Sequence, residues 1–139
     1  AGEPWRPRNS VRSAVALSAL VMFVLGVALL FAPEEVGRAL LHRESGGPLV
    51  QLLGAALLGA AAMSWTARGS VLGGIYGRAV VAGNQAHLTV GALLLLRHGF
   101  AAGGSAAFWA LAGAYALGAG LFTYLLFFSP GTTARPPRG

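Results

Sequence analysis

The chain has no cysteine, no aspartate and no lysine, and only 10% of its 139 residues are charged. The absence of cysteine excludes disulfides, thiolate metal sites and thiol redox chemistry within the chain. Without aspartate no Ser/His/Asp catalytic set can form, and all four glutamates lie outside the apolar runs. The sequence therefore predicts no catalytic residue, no resident metal and no cofactor, and it does not indicate an enzyme.

Hydrophobic residues make up 55% of the chain, and the mean hydropathy is +0.66. A soluble domain carries about 25% charged residues, so this composition predicts a membrane protein. The net charge of +6 comes from ten arginines at the edges of apolar runs. Membrane lipids attract arginines at such positions, so we expect lipids and other membrane helices as partners and no nucleic acid.

Four apolar runs are long enough to cross a bilayer as helices, because 20 residues of α-helix cover about 30 Å. They predict an all-α, up-down four-helix transmembrane bundle over residues 13–129, with spans at about 13–32, 49–67, 79–96 and 106–128. The first run is too long for a signal-peptide core and has no plausible cleavage site. We expect a basic cytoplasmic segment at residues 1–12 and a disordered basic tail at 130–139.

Pro33 ends the first span, and Glu34 to His42 is typical of a short helix in the membrane interface. Glu34 and Arg38 lie four residues apart on it. A metal site on the same outer face is conceivable, although none is predicted, and its ligands would be Glu34, Glu35, His42 and His98.

The distribution of arginines predicts the orientation. Seven lie on the side of the termini, at positions 6, 8, 12, 68, 78, 135 and 138, and three lie on the other side, at positions 38, 43 and 97. The positive-inside rule then places both termini in the cytoplasm. An all-arginine, Ala/Gly-rich composition is typical of a GC-rich bacterial genome, so we expect a multi-pass protein of the bacterial inner membrane.

The third span carries Asn84, Gln85, His87 and Thr89 within six residues. His87 lies near the membrane midplane and shares a helix face with Asn84, while Gln85 and Thr89 share the adjacent face. Tyr115 in the fourth span could reach Asn84 or His87. Polar groups at this depth are costly toward lipid and normally face the bundle interior or a cavity.

Several interpretations of this cluster remain open. It could be a structural hydrogen-bond network, or the polar floor of a site for a lipid-like, quinone-like or small polar ligand. A proton or ion path through His87 is a further alternative, and haem ligation would need two copies of His87 in a homodimer. Gln51, one turn inside the second span, either contributes to a ligand site or touches headgroups.

The connection between the second and third spans is glycine-rich and bounded by Arg68 and Arg78. It lacks the P-loop motif and a preceding strand, so a nucleotide site is not indicated. Together with Trp65 and Tyr76, these arginines are candidates for contacts with lipid headgroups.

Small residues recur at four-residue spacing, which favours close helix crossings or an oligomer interface, although an Ala/Gly-rich composition also produces such patterns. The stripes are Ala55 and Gly59 in the second span, Gly83 and Gly91 around His87, and Ala110, Ala114, Gly118 and Ala112, Ala116, Gly120 in the fourth. We expect the first span to be a plain apolar anchor.

The strings LLFAPEEVGRALL, GAALLGAAAMSWTARG, GGIYGR and GNQAHLTVGALLLL resemble a widespread set of small uncharacterised bacterial four-helix integral membrane proteins. The resemblance implies a four-helix topology and a bacterial inner membrane, but it carries no assigned chemistry and transfers no functional residue.

The leading function hypothesis is a small accessory or scaffold protein that acts through helix packing, as a homo-oligomer or as a subunit of a larger membrane complex. The alternative is a binding or transport protein for a lipid-like or small polar ligand, with a midplane site around Asn84 and His87. A membrane enzyme that acts on lipid is a third class, with His87 as its only candidate group.

Overall fold

The structure is a computed structural model that describes residues 9–43, 47–69 and 75–128. Within these ranges every element is an α-helix, and the helices in chain order are α1 (Asn9–Phe31), α2 (Pro33–Leu41), α3 (Pro48–Ala67), α4 (Ile75–Ala102) and α5 (Ala106–Phe127). All except α2 are long and apolar enough to cross a membrane. The prediction of an all-helical chain with four candidate spans is therefore confirmed.

Two helices extend beyond the predicted spans. The first begins at Asn9, inside the predicted basic segment, and α4 continues through Arg97 to Ala102. Arginine is a good helix former, so a charge at the edge of an apolar run does not end the helix. The helix α4 ends instead at Gly103, whose φ of 75° is a left-handed conformation that glycine adopts readily. Residues 1–8 and the predicted tail at 130–139 lie outside the described residues.

The break after α1 is the predicted one. Pro33 lacks the N–H that would continue α1, and it occupies the first turn of α2. Arg38 pairs with Glu35, at 3.5 Å between Nη2 and Oε1, and not with Glu34 as the four-residue spacing suggested. Because both side chains are exposed, this ion pair contributes little to stability.

The helices α1 and α3 cross closely at two glycines. A Cβ on Gly54 would lie 2.8 Å from the carbonyl oxygen of Gly26, and one on Gly26 would lie 2.9 Å from that of Gly54. Gly54 meets Gly26, and Gln51, one turn earlier in α3, bonds the carbonyl of Leu30, one turn later in α1, so the two helices run in opposite directions. The expectation of a plain first span was wrong, because Gly26 brings the backbone of α1 into close contact with that of α3.

The helices α4 and α5 form a second pair. Gly118 of α5 faces the side chain of Leu88, and Gly99 of α4 faces the rings of Trp109 and Phe108. The stripes predicted in α3 and α5 pack only in part: Ala112 is buried and Gly118 is partly buried. The other members lie exposed on the outside of the chain, namely Ala55, Gly59, Ala110, Ala114, Ala116 and Gly120.

A continuous apolar core joins the two pairs. It contains Val15 and Met22 of α1, Leu57 of α3, Leu88 of α4 and Phe122 of α5. Large apolar side chains also cover the outer surface, as in helices that face lipid.

Hydrogen bonds of Ser105 link the short helix α2 to this bundle. Its hydroxyl caps α5 by accepting from the N–H of Phe108, and it lies 2.6 Å from the carbonyl of Ala39 and 3.2 Å from that of Leu40.

Candidate functional site

A polar contact near the middle of the long helices joins His87 of α4 to Tyr115 of α5. The distance from His87 Nε2 to the Tyr115 hydroxyl is 3.2 Å, and both side chains are partly buried. Gly91, one turn from His87, leaves room for this pair, since a Cβ there would lie 2.5 Å from Cε1 of the Tyr115 ring. Of the two residues that Tyr115 could reach, Asn84 and His87, the structure brings it to His87.

A cavity of about 600 Å³ lies beside this pair, and all five helices contribute to its wall. It extends from His87 and Tyr115 toward Leu40 of α2, between Leu53 of α3 and Leu94 of α4. The remaining lining residues are Leu25, Leu29, Leu57, Ala86, Val90, Gly91, Leu95 and Leu111. His87 and Tyr115 therefore supply the polar side-chain atoms of an otherwise apolar cavity, which has the volume of a typical small-molecule site.

Asn84 faces α3 and does not line this cavity. Its Nδ2 lies 2.8 Å from Ser64 Oγ and 2.9 Å from the carbonyl of Val80, and only 6% of the residue is exposed. Its Oδ1 is buried without a hydrogen-bond partner in the described part of the chain. Asn84 thus links α3 to α4, as the structural interpretation of the polar cluster expects. Ser64 was not among the candidate site residues of the sequence, although it forms this contact between the two helices.

Gln85 and Thr89 form a separate contact on another side of α4. Gln85 Nε2 lies 3.1 Å from Thr89 Oγ1, which confirms their predicted shared face, and 3.4 Å from Thr123 Oγ1 of α5. The polar residues of the third span thus point in different directions, and His87 is the one that lines the cavity. The alternative function hypothesis places Asn84 and His87 in one site, and the structure separates them.

Gln51 occupies a different place again. Its Nε2 donates to the carbonyl of Leu30 at 3.2 Å, in the last turn of α1. Pro33 and the helix end leave carbonyls there without their usual intrahelical donors. The exposed Gln51 side chain therefore caps α1 and does not line the cavity.

The four headgroup candidates lie at the opposite end of the helices from α2. The guanidinium of Arg68 stacks on the ring of Trp65, 4.0 Å from its centroid. Arg78 Nη2 lies 3.4 Å from the carbonyl of Leu126 near the end of α5. Tyr76 belongs to α4, but its side chain is outside the described part of the structure. Arg68 and Trp65 therefore form one unit, and Arg78 packs on α5.

Among the described residues, no group of three or more His, Cys, Asp or Glu side chains could hold a metal ion, so Glu34, Glu35, His42 and His98 are not gathered into a site. The resemblance to small bacterial membrane proteins stays a prediction. No family model, curated protein or solved structure matches this chain.

Proposed function

We propose that this protein binds a lipophilic molecule that carries one hydrogen-bonding group, such as a quinone-like carbonyl or a hydroxyl, in the cavity beside His87 and Tyr115. The observation that carries this proposal is the placement of the hydrogen-bonded pair at one end of a cavity of about 600 Å³ with otherwise apolar walls. The proposal follows the alternative function hypothesis, with the site moved from Asn84 to Tyr115.

The surrounding lipid bilayer determines which ligands such a site would select. Lipid tails are as apolar as leucine, so the aliphatic walls offer a ligand little that the bilayer does not already provide. A carbonyl or hydroxyl in the hydrocarbon core has no water to bond, and leaving it unpaired is costly. The pair at mid-span offers it a partner, so the site selects molecules whose polar group can reach that depth.

The pair can serve either kind of ligand. A neutral imidazole has one donor and one acceptor nitrogen, and a phenol hydroxyl both donates and accepts. A ligand carbonyl would accept from the Tyr115 hydroxyl, while a ligand hydroxyl would donate to His87 or to the Tyr115 oxygen. Both modes bind a neutral ligand and need no charged protein group in the membrane.

The test removes one hydroxyl. Binding of a short-tailed benzoquinone to the protein in nanodiscs is followed through quenching of the intrinsic tryptophan fluorescence. Tyr115→Phe should weaken binding by about 2- to 13-fold, because a single hydrogen bond contributes about 0.5–1.5 kcal/mol. The matched control is Tyr124→Phe, which removes an exposed hydroxyl from the same helix. Equal affinities for the two variants would refute the proposal.

A glycine pair on α4 gives an independent test. Gly91→Ala places a methyl against the ring of Tyr115, whereas a Cβ on Gly83 would meet nothing within 4 Å. Both positions lie one turn from His87 on the same helix. The benzoquinone should bind Gly91→Ala more weakly than Gly83→Ala, and the reverse order would contradict the proposed site.

For the membrane arrangement we propose an up-down bundle over residues 13–129, with α2 in the outer interface and both termini in the cytoplasm of a bacterial cell. The opposite directions of neighbouring helices and the exposed charges of α2 support this arrangement. A reporter fused to the C-terminus should be active only if it functions in the cytoplasm. Activity of a reporter that works only outside the cytoplasm would overturn the topology.

Self-association is a second candidate role, in line with the scaffold hypothesis. It is favoured by the outward-facing small residues of α3 and α5, such as Gly59, Ala116 and Gly120, which would let a second chain approach closely. Gly59→Leu should lower the dimer fraction measured by single-molecule photobleaching in liposomes. A purely monomeric wild-type chain with no co-purifying partner would exclude this role.

A further inference from the structure

A second cavity, which shares no lining residue with the one beside His87, lies in the outward-facing groove between α1 and α3. It has a volume of about 400 Å³. Its walls are formed by the large apolar side chains of Leu20, Phe23, Leu58 and Trp65 and by the small residues Ala19, Ala61 and Ala62. A groove of this composition, running along two membrane-spanning helices, fits an acyl chain.

The positively charged side chain of Arg68 lies at one end of this groove. Trp65 lines the groove, and the guanidinium of Arg68 lies 4.0 Å from the centroid of the Trp65 ring. Arg68 follows directly after the last residue of α3, at the level where a span meets the headgroups. One of its nitrogens bonds the carbonyl of Trp65, and no carboxylate of the described residues lies within ion-pair distance of it. The remaining N–H groups of the Arg68 guanidinium can therefore bind an anion.

The charges of the described residues are distributed unevenly between the two ends of the helices. Three described arginines lie at each end, Arg12, Arg68 and Arg78 at the end with this groove, whereas the described carboxylates, Glu34 and Glu35, lie on α2 at the other end. The end of the groove is therefore positive without compensating acidic groups in the described part of the chain. Charge complementarity thus favours an anionic occupant over a zwitterionic one.

We propose that the groove between α1 and α3 is a binding site for one anionic phospholipid, with its acyl chain along Leu20, Phe23 and Leu58 and its phosphate on Arg68. The stack on Trp65 holds the guanidinium at the mouth of the groove, so headgroup and chain are recognised together. This site is separate from the cavity beside His87, and neither proposal depends on the other.

The experiment uses the full chain in nanodiscs that contain equal amounts of phosphatidylglycerol and phosphatidylcholine. Native mass spectrometry measures which lipid stays bound after release from the disc. The wild type should retain phosphatidylglycerol in about fivefold excess, the preference expected for one well-placed arginine. Arg68→Gln should bring the two lipids to parity, while Arg97→Gln, which removes an exposed arginine from the other end, should leave the preference unchanged.

A second variant tests the groove without touching the charge. Ala62 lines the groove and is exposed, so Ala62→Phe fills it from the lipid side and should release both lipids. An unchanged preference in Arg68→Gln, an equal loss in Arg97→Gln, or undiminished retention in Ala62→Phe would each overturn the proposal. Displacement of the bound lipid by glycerol 3-phosphate, which has no acyl chain, would also overturn it.

Discussion

The crossing of α1 and α3 gives the sharpest stability prediction. In Gly54→Ala the new methyl would lie 2.8 Å from the carbonyl oxygen of Gly26 and 3.0 Å from the amide nitrogen of Leu30. Both are backbone atoms that cannot rotate away, and ordinary contacts begin near 3.4 Å. The two helices must therefore separate by about half an ångström, and overpacking of this kind costs about 1–3 kcal/mol.

The matched control lies on the same helix. A Cβ on Gly59 would meet nothing within 4 Å, so within one chain Gly59→Ala changes only the helix propensity, which both substitutions improve equally. The difference between the two variants should therefore isolate the crossing. It corresponds to about a 5- to 150-fold change in the unfolding equilibrium, measured by circular dichroism during titration with dodecyl sulfate in mixed micelles.

Two outcomes bear on the reasoning. Gly26→Ala should behave like Gly54→Ala, and the double variant should cost less than the two single changes together, because one separation of the helices accommodates both methyls. If Gly54→Ala and Gly59→Ala unfold at the same detergent fraction, the close crossing is refuted.

Three further predictions concern single hydrogen bonds. Ser105→Ala removes the cap of α5 and the link to α2, so it should cost about 0.5–2 kcal/mol and speed hydrogen exchange in α2, whereas Ser13→Ala, an exposed serine, should do neither. Asn84→Leu should lower the free energy of unfolding less than Ser64→Ala does. Ser64→Ala loses a hydrogen bond of about 0.6 kcal/mol, whereas Asn84→Leu loses the same bond but also removes the buried Oδ1 that lacks a partner. The opposite order in the micelle titration would contradict this. Gln51→Leu should leave benzoquinone binding unchanged, since Gln51 caps α1. Weaker binding would contradict this and would show that Gln51 contributes to the ligand site.

The elements of the candidate site differ in how far the sequence could predict them. The pair Gln85 and Thr89 was predictable because both residues belong to one helix, where a spacing of four fixes their proximity. The partner of Asn84 was not, because Ser64 lies on another helix and the contact depends on how each helix is rotated about its axis. These spans are apolar nearly all round, so no polar face indicates how each helix is rotated about its axis.

The small residues also show that spacing along one helix does not reveal contacts between helices. Four-residue spacing singled out Ala55 with Gly59 and the stripes of α5, yet most of these residues lie on the outside. The contact between α1 and α3 uses Gly26 and Gly54, two single glycines without a repeat. Spacing predicts which residues share a face of a helix, and only the packing decides which face meets a neighbour.

The sequence by itself determined that the chain is helical with four segments able to cross a membrane, because length, hydropathy and helix-ending prolines act locally along the chain. It also placed His87 near the middle of its span. Only the tertiary structure decided that His87 meets Tyr115 beside a cavity and that Asn84 belongs to a different contact. The physical reason is that a cavity is space left between helices, and it depends on side chains from all five helices at once.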